Sequence, residues 1–322
     1  MREWTVGPEA EGKRLDRYLA ARLGGVPAGA LQKYLRLGRV KRNTRRASAS
    51  DRLCAGDTLQ LYLSDDCFEA APPRRPDPLL AKFRPHLTVL YEDENLLLIN
   101  KRPGMLVHPD AGEKVNTLVT HVRAYLYQKG AYDPAQDFSP APCNRIDRFT
   151  GGIVIFAKTK EALLAVDALI RARKLRKFYH CIVRGTPKPP EGVLKHFLLK
   201  GEKRVRVLDR PERGAQTAET RYRTLEARGD VSLVECELIT GRTHQIRAQM
   251  AHAGHPLLGD GQYGDAAWNR AMGRGQQALY AVRLEFPADL PGALAPLSGR
   301  SFAVKSPLWA EIQSLGRKSP QG

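Results

Sequence analysis

One carboxylate stands between two guanidinium groups in the stretch NRIDRFTGG, residues 144–152, where Asp147 has Arg145 two residues before it and Arg148 directly after it. Five apolar residues follow, Ile153 to Ala157, so the acid sits at the mouth of what reads as a buried strand. Nearby cations favour an ionised carboxylate, which makes Asp147 a poor general acid and a competent nucleophile or electrostatic partner. Gly151 and Gly152 remove side chains where a flat ligand or another backbone can approach. A plain loop salt bridge accounts for the same residues, and composition alone favours that blander reading.

Two further clusters could serve the same chemistry. In TGRTHQIRAQMAHAGHPLLGDGQYG, residues 240–264, a strand ends at Thr240, Gly241-Arg242 turns, and Thr243 is the predicted N-cap of a helix that Gly254 and Pro256 stop. Ile246, Met250 and Ala253 form its apolar stripe, and Arg247 lies beside that stripe, within reach of a buried acid such as Asp147. Arg242, His244 and Gln245 at the helix start can meet phosphate. A capped surface helix explains Thr243 and Ile246, but not so many donors at one end. In RARKLRKFYHCIVRG, residues 171–185, Arg171, Arg173, Lys174, Arg176 and Lys177 lead straight into a strand carrying Tyr179. Phosphate contacts beside an aromatic face are what holds a splayed-out base. Alternation of Tyr179 with Cys181 and Val183 equally fits a core residue with its hydroxyl at the rim.

Other chemistries are missing from the sequence. There is no Walker loop, no GxGxxG and no HExxH. His252 and His255 lie three apart, but no cysteine or carboxylate pattern completes a metal set, so neither metal nor cofactor is expected. Ser139 and Ser232 lack a nucleophile-elbow context. Five scattered cysteines point to reduced thiols rather than a disulfide frame, the N-terminus lacks the apolar core of a signal peptide, and no apolar run is long enough to span a bilayer. A cytoplasmic, membrane-free protein is expected. Lys plus Arg number 52 against 34 Asp plus Glu, a formal charge of +18, and such a field attracts polyanions, nucleic acid foremost.

The elements that must position these groups fall into two parts. A proline-rich stretch at residues 65–85 reads as an extended linker between an N-terminal part, 1–64, and a larger part, 86–322. In the first, Leu15, Leu19 and Leu23 fall at helical spacing ended by Gly24-Gly25, Pro27 opens a second helix carrying Leu31 and Leu35, and Gly38 ends it. Arg39, Lys41, Arg42, Arg45 and Arg46 then cluster around an Asn43-Thr44 turn between short strands, a backbone-binding surface on a module too small to hold much else. Gly56-Asp57 leads into a strand over Thr58–Leu63. The second part reads as α+β, with a hairpin over residues 88–100, a helix over 160–173 and alternating strands at 179–183 and 234–238. Its lack of regular βα alternation argues against a doubly wound sheet.

These motifs carry two resemblances. RLDRYLA, the Gly38-Arg39-Val40 step and GDTLQLYL resemble the alpha-L RNA-binding module first described in a ribosomal small-subunit protein, with Asn43-Thr44 in place of its usual Asn-Gly turn. VLYEDENLLLINKRPGMLVHP, NRIDRFTGGIVIFAKT, KFYHCIVRG, GRTHQIRAQMAHAGHPLLGDGQYG and QALYAVRLEF arrive in the order of the RluA-type pseudouridine synthases, and the similarity covers nearly all of residues 86–312. The second resemblance implies a mixed, largely antiparallel sheet with flanking helices, and an isomerase that needs no cofactor. Asp147 matches the catalytic aspartate, Tyr179 the active-site tyrosine, and Arg247 the arginine that pairs with the aspartate. Ile246 falls where an apolar residue lines the pocket, Arg145 where an arginine helps displace the target base, and Lys177 in the lysine–tyrosine strand. Arg242, His244 and Gln245 complete the expected substrate contacts; Arg39, Lys41, Arg42, Arg45, Arg46, Arg171, Arg173, Lys174 and Arg176 are the expected RNA contacts. Asn144, Ile146 and Gly151 replace the family's usual His, Leu and Ser, and Arg102 intervenes between Lys101 and Pro103; these changes spare the reacting groups and fall in the substrate-facing loop. Together the two parts resemble the branch that modifies large-subunit ribosomal RNA, so the expected partner is that RNA or its assembly particle, met by a monomer. A transfer-RNA synthase and a non-catalytic RNA-binding assembly factor are the competing readings.

Overall fold

A computed structural model describes residues 1–23, 26, 28–68, 77–136, 138–202 and 204–315 of the chain. They form two compact units, Met1–Lys82 with Leu126–Ser139, and Phe83–Tyr125 with Pro140–Gly322.

The first unit holds β1 (Arg2–Thr5), α1 (Leu15–Arg22), α2 (Ala28–Arg36), β2 (Val40–Arg42), β3 (Arg45–Arg46) and β4 (Thr58–Leu61). Its four strands lie in the order β1-β4-β2-β3. Leu15, Leu19 and Leu23 are fully buried, and they meet Leu31, Leu35, Val40, Leu59 and Leu61 in one core, as their spacing predicts. Gly24, Gly25 and Pro27, expected to end one helix and begin the next, lie outside the described residues. Asn43 and Thr44 both take left-handed backbone, with φ of 48° and 67°. That is the turn whose twist matches paired strands, and here a threonine adopts the conformation glycine usually supplies. Asn43 makes this possible by donating to Asp57 at 2.7 Å and accepting from the Thr58 amide at 2.8 Å.

The expected extended linker is ordered at both ends. Residues Asp65–Phe68 form a short 3-10 turn, with Cys67 buried in the N-terminal core and Phe68 packed against Trp4. A short helix, α3 (Pro78–Lys82), follows Asp77, whose carboxylate accepts from the Leu79 and Leu80 amides. Asp-Pro is a helix-start signal that the proline count masked. Residues 69–76, the centre of the expected linker, lie outside the described residues.

The second unit is α+β, built on an 11-stranded sheet. In chain order it contains β5 (Val89–Glu92), β6 (Leu96–Lys101), α4 (Leu118–Gln128, whose last turn belongs to the first unit), β7 (Ala141–Pro142), β8 (Gly151–Ala157), α5 (Lys160–Arg171) and β9 (Arg176–Arg184). Then come β10 (Glu191–Lys200), β11 (Val205–Leu208), β12 (Gln216–Arg228), β13 (Val231–Leu238), α6 (Gln245–His252), α7 (Ala266–Ala271), β14 (Leu279–Glu285), β15 (Ser301–Ala303) and α8 (Leu308–Leu315). The main path runs β11-β10-β12-β13-β9-β14-β8-β6-β5, with β15 on β14 and β7 on β8. Every pairing is antiparallel except β8 with β14, which starts where Gly151 and Gly152 face Tyr280 and Ala281. Both glycines make room for the protein itself rather than for a ligand: a Cβ on Gly152 would lie 2.1 Å from the Ala281 carbonyl oxygen, and one on Gly151 would lie 2.3 Å from the Tyr280 ring. Every residue of β8 is buried, which explains its unbroken apolar run. The strand thereby anchors the loop that carries Asp147.

Candidate active site

Asp147 sits just before β8, and its own loop is laced down from three sides. Asn144 accepts from the Ile155 amide at 2.8 Å, the Thr150 amide donates to the Asp147 carbonyl at 3.1 Å, and Gly104 donates to the Arg148 carbonyl at 2.8 Å. Lys101, at the end of β6, adds a fourth tie that sequence reasoning missed. Only 1% exposed, it donates to the carbonyls of Arg102, Met105 and Arg148 at 3.1, 2.8 and 3.0 Å. Burial pushes the lysine down to about 7, against the pull of Asp147. Three carbonyl oxygens around one nitrogen nevertheless match the three donors of an ammonium, which has no lone pair to repel them, so the geometry holds the charged form.

The flanking arginines do not hold Asp147. Arg145 and Arg148 are exposed, and Arg148 instead donates to the Gly104 carbonyl and lies over the Phe149 ring. The partner comes from α6, 100 residues on: Arg247 Nη1 lies 2.9 Å from Asp147 Oδ2. Arg247 is itself clamped by Asp260, with Nε to Oδ2 at 2.7 Å and Nη2 to Oδ1 at 3.0 Å, a two-point pairing that fixes the plane of the guanidinium. Burial works to raise the Asp260 carboxyl, but Arg247 and the backbone amides of Gln262 and Tyr263 hold it below its ordinary value. Asp260 lies within the quoted GDGQYG motif but was not singled out; its only sequence signal was an acid thirteen residues after the arginine.

His244 faces the other carboxylate oxygen, with Nε2 3.9 Å from Asp147 Oδ1. Its Nδ1 lies 3.0 Å from the Tyr263 hydroxyl, which accepts from the Val205 amide at 2.9 Å. This hydrogen bond fixes the ring with Nε2 turned towards Asp147. Burial lowers the histidine below its ordinary value, opposed by the charge of Asp147. The helix starts one residue later than expected: His244, not Thr243, is the N-cap, in left-handed backbone with φ 54°. Gln245 instead ties the helix start to the preceding turn by accepting from the Arg242 amide at 3.0 Å. Its amide nitrogen donates to the Glu219 carbonyl and to Thr220, so Gln245, 2% exposed, has no donor left for a substrate.

A cavity opens above this ion pair, walled by Ile146, Ile246, Leu279 and the ring of Tyr179. The expected site residues Asp147, Tyr179, Arg247, Ile246, Arg145, Arg242 and His244 all line it. Tyr179 comes from β9, on the same strand as Lys177, and burial followed by the nearby charge of Asp147 raises its phenol well above the ordinary tyrosine value. A neutral ring and hydroxyl are therefore what the cavity presents at neutral pH. An adjoining cavity of about 430 Å³ also touches Asp147 and Tyr179 and adds Lys177, Gly241 and Thr243, a volume suited to a nucleotide-sized ligand.

Some expected RNA contacts are already engaged. Arg42 binds the buried Asp57 at 2.6 Å, because a carboxylate taken from water needs a charge partner. Arg176 is shared between Glu237 and Glu285, each at 2.7 Å, so its charge goes to the sheet rather than to a ligand. Arg46 donates to the Arg36 carbonyl at the end of α2 yet stays exposed, as do Arg39 and Arg45, while Lys41 lies half-buried over the Tyr62 ring. Arg171, the last residue of α5, and Arg173 and Lys174 just after it are exposed.

Among the described residues, His196, Asp209 and His252 are the set close enough to hold a metal ion. Their chemistry argues otherwise. Gln249 Nε2 lies 3.0 Å from His196 Nδ1, and His252 Nε2 lies 3.1 Å from Asp209 Oδ1, so both rings are already hydrogen-bonded within the protein.

Residues 95–252, which span the Asp147 loop, the Tyr179 strand and α6, match the family model for RNA pseudouridylate synthases. Over 322 residues the chain is 31% identical to ribosomal large subunit pseudouridine synthase C of Escherichia coli K12, covering 94% of this chain and 92% of that one. The chain belongs to the RNA pseudouridylate synthase family. It is an isomerase of the RluA type, converting uridine to pseudouridine in RNA. This synthase is also 32% identical over 306 residues to an uncharacterized RNA pseudouridine synthase of Synechocystis, covering 94% and 88% of the two chains. In Vibrio cholerae, a ribosomal large subunit pseudouridine synthase C shares 29% identity over 98% of this chain and 96% of its own. Its fold is similar to that of human RNA pseudouridylate synthase domain containing 4, with a TM-score of 0.57 and 24% identity over 72% of this chain and 94% of that one.

Proposed function

We propose that this synthase modifies uridines of large-subunit ribosomal RNA with Asp147 as its working carboxylate. The observation that carries the reading is the 2.9 Å pair of Asp147 with a buried, doubly anchored Arg247 at the wall of a cavity that Tyr179 also lines. The names of the Escherichia coli and Vibrio relatives favour the large-subunit substrate. Isomerisation breaks the bond from ribose C1′ to uracil N1, turns the ring, and joins C1′ to C5, whose proton must leave. Arg247 occupies one oxygen of Asp147 and leaves the other to act on the sugar, either by adding to C1′ or by assisting elimination. Tyr179 stacks on the base as a neutral phenol, so water rather than a tyrosinate takes the C5 proton. Ile246 and Ile146 wall the base, and the exposed Arg145 at the cavity rim fills the stack as the nucleotide leaves it. Residues 1–64 serve as an RNA-binding module that grips backbone through Arg39, Lys41, Arg45 and Arg46, residues 65–85 join it to the catalytic part, 86–322, and the enzyme works as a cytoplasmic monomer.

Pseudouridine mapping of total cellular RNA, with the gene intact and deleted, tests the reading. Specific large-subunit uridines lose the modification on deletion, and Asp147→Asn fails to restore them while binding RNA almost as wild type does. Loss confined to transfer RNA would overturn the substrate, and turnover by Asp147→Asn would overturn the assignment of the carboxylate.

A further inference from the structure

Two lysines of the catalytic unit are almost fully buried, Lys101 at 1% and Lys177 at 7% exposure, and they differ in what surrounds the charge. Lys101 is satisfied by its three carbonyls. Lys177 has no hydrogen-bond acceptor and no carboxylate partner among the described residues, and burial alone lowers its ammonium from the ordinary value. Its nitrogen lies 3.6 Å from where a Cβ on Gly241 would stand, so the absent side chain of Gly241 leaves it open to the adjoining cavity. The stem of Lys177 is buried while its ammonium faces the cavity with no counter-charge from the protein, a poorly solvated cation that a bound anion would stabilise.

We infer that Lys177, with Arg242 and Arg145, forms a phosphate site that holds the RNA backbone beside the base pocket. All three line the cavity with Gly241 and Thr243, whereas the apolar walls around the Asp147–Arg247 pair do not include Lys177. The ligand is therefore the backbone rather than the base. Lys177 and Tyr179 are two residues apart on one face of β9, about 7 Å. A nucleotide stacked on the ring thus brings its own phosphate to the ammonium. Arg242 has its Nε on the Thr217 carbonyl at 3.1 Å, which orients the terminal nitrogens of the same guanidinium. A phosphate supplies the missing counter-charge when RNA binds, so the unpaired lysine is strained only in the free enzyme. This inference rests on the reading of the chain as an RNA-modifying enzyme.

The full chain and its Lys177→Met and Lys177→Arg variants are compared with a labelled short oligouridylate as probe, over a series of salt concentrations, and by thermal unfolding without RNA. Lys177→Met binds about tenfold more weakly, the worth of one charge-assisted hydrogen bond. Its slope of log affinity against log salt is shallower by about 0.7, one phosphate fewer on a single strand. The same variant unfolds at a temperature no lower than wild type, because a poorly solvated, unpaired charge is gone, and Lys177→Arg keeps most of the affinity. An unchanged slope for Lys177→Met, or a lower unfolding temperature, would overturn the site; the latter would make Lys177 a structural residue. Pseudouridine formation is read on the same preparations. A wild-type chain with the Lys177-dependent slope but no product would sink the catalytic reading while leaving the phosphate site standing.

Discussion

Arg247 puts one edge of its guanidinium on Asp260 and one nitrogen on Asp147, and the two acids stand in different surroundings. The Asp260 side chain is wholly buried, while that of Asp147 is 27% exposed at the cavity wall. Removing a partner from a buried pair leaves an uncompensated charge, whereas a partly solvated acid can exchange its partner for water. Asp260→Ala is therefore expected to destabilise the protein by about 3–5 kcal/mol, and Asp147→Asn by less than about 1 kcal/mol. Denaturant unfolding of the two variants checks this, and an equal loss for both would contradict the division of roles. The activity losses should run the other way in kind: Asp147→Asn abolishes chemistry in a folded enzyme, while Asp260→Ala acts by letting Arg247 turn. His244 belongs to the same group. Its ring is held facing Asp147 by a hydrogen bond with the hydroxyl of Tyr263, which sequence reading passed over because a tyrosine nineteen residues away carries no local sign of contact.

Between elements, the decisive contact is the parallel start of β8 against β14. Antiparallel neighbours surround this pairing, and it brings the loop of Asp147 to the side of the sheet where β9 presents Tyr179. Gly152 permits it, with φ of 108° and no room for a side chain against Ala281. Gly152→Ala is expected to cost about 2–4 kcal/mol, from backbone strain and a forced separation of the strands. A measured loss of less than about 1 kcal/mol would mean that the strands can part without harm. The glycine pair was legible as a place of close approach, but its partner was not: sequence pattern shows that space is needed and not what fills it. Likewise, the basic run before β9 was read as one surface, yet Arg176, itself exposed, is taken up by Glu237 and Glu285 of the neighbouring strands. Those acids lie 61 and 109 residues further along the chain, so the pairing shows only once the neighbouring strands are known.

Taken as a whole, the molecule combines a strong positive field with histidines held neutral. Burial lowers His108, His121, His196 and His244 below the ordinary histidine value. The unfolded chain takes up protons at these positions first as pH falls through about 6.5. More protons bound in the unfolded state means that stability rises with pH, so this contribution is complete above about pH 7 and is lost as pH drops below about 6.5 towards the lowered folded values. The urea midpoint is expected to be lower at about pH 5.5 than at about pH 7.5. A flat profile down to the carboxylate range would show that the four histidines titrate as freely in the folded chain as in the unfolded one. The net charge of +18 adds in the same direction, since each further proton increases self-repulsion.

Local pattern was enough to reveal the α+β character of the larger part, the leucine-lined helices of the smaller one, and the three segments that carry Asp147, Tyr179 and Arg247. Those features depend on periodicity and on residues adjacent in the chain, and both survive in one dimension. The pairing of Asp147 with Arg247 was legible as a residue type at the right place in a helix, while the flanking arginines misled because chain neighbours in a loop point apart. Asp260 behind Arg247, the three carbonyls around Lys101, and the want of any partner for Lys177 were decided only by the packing of strands and loops far apart in the chain. Burial sets the cost of a charge, and burial belongs to the folded molecule.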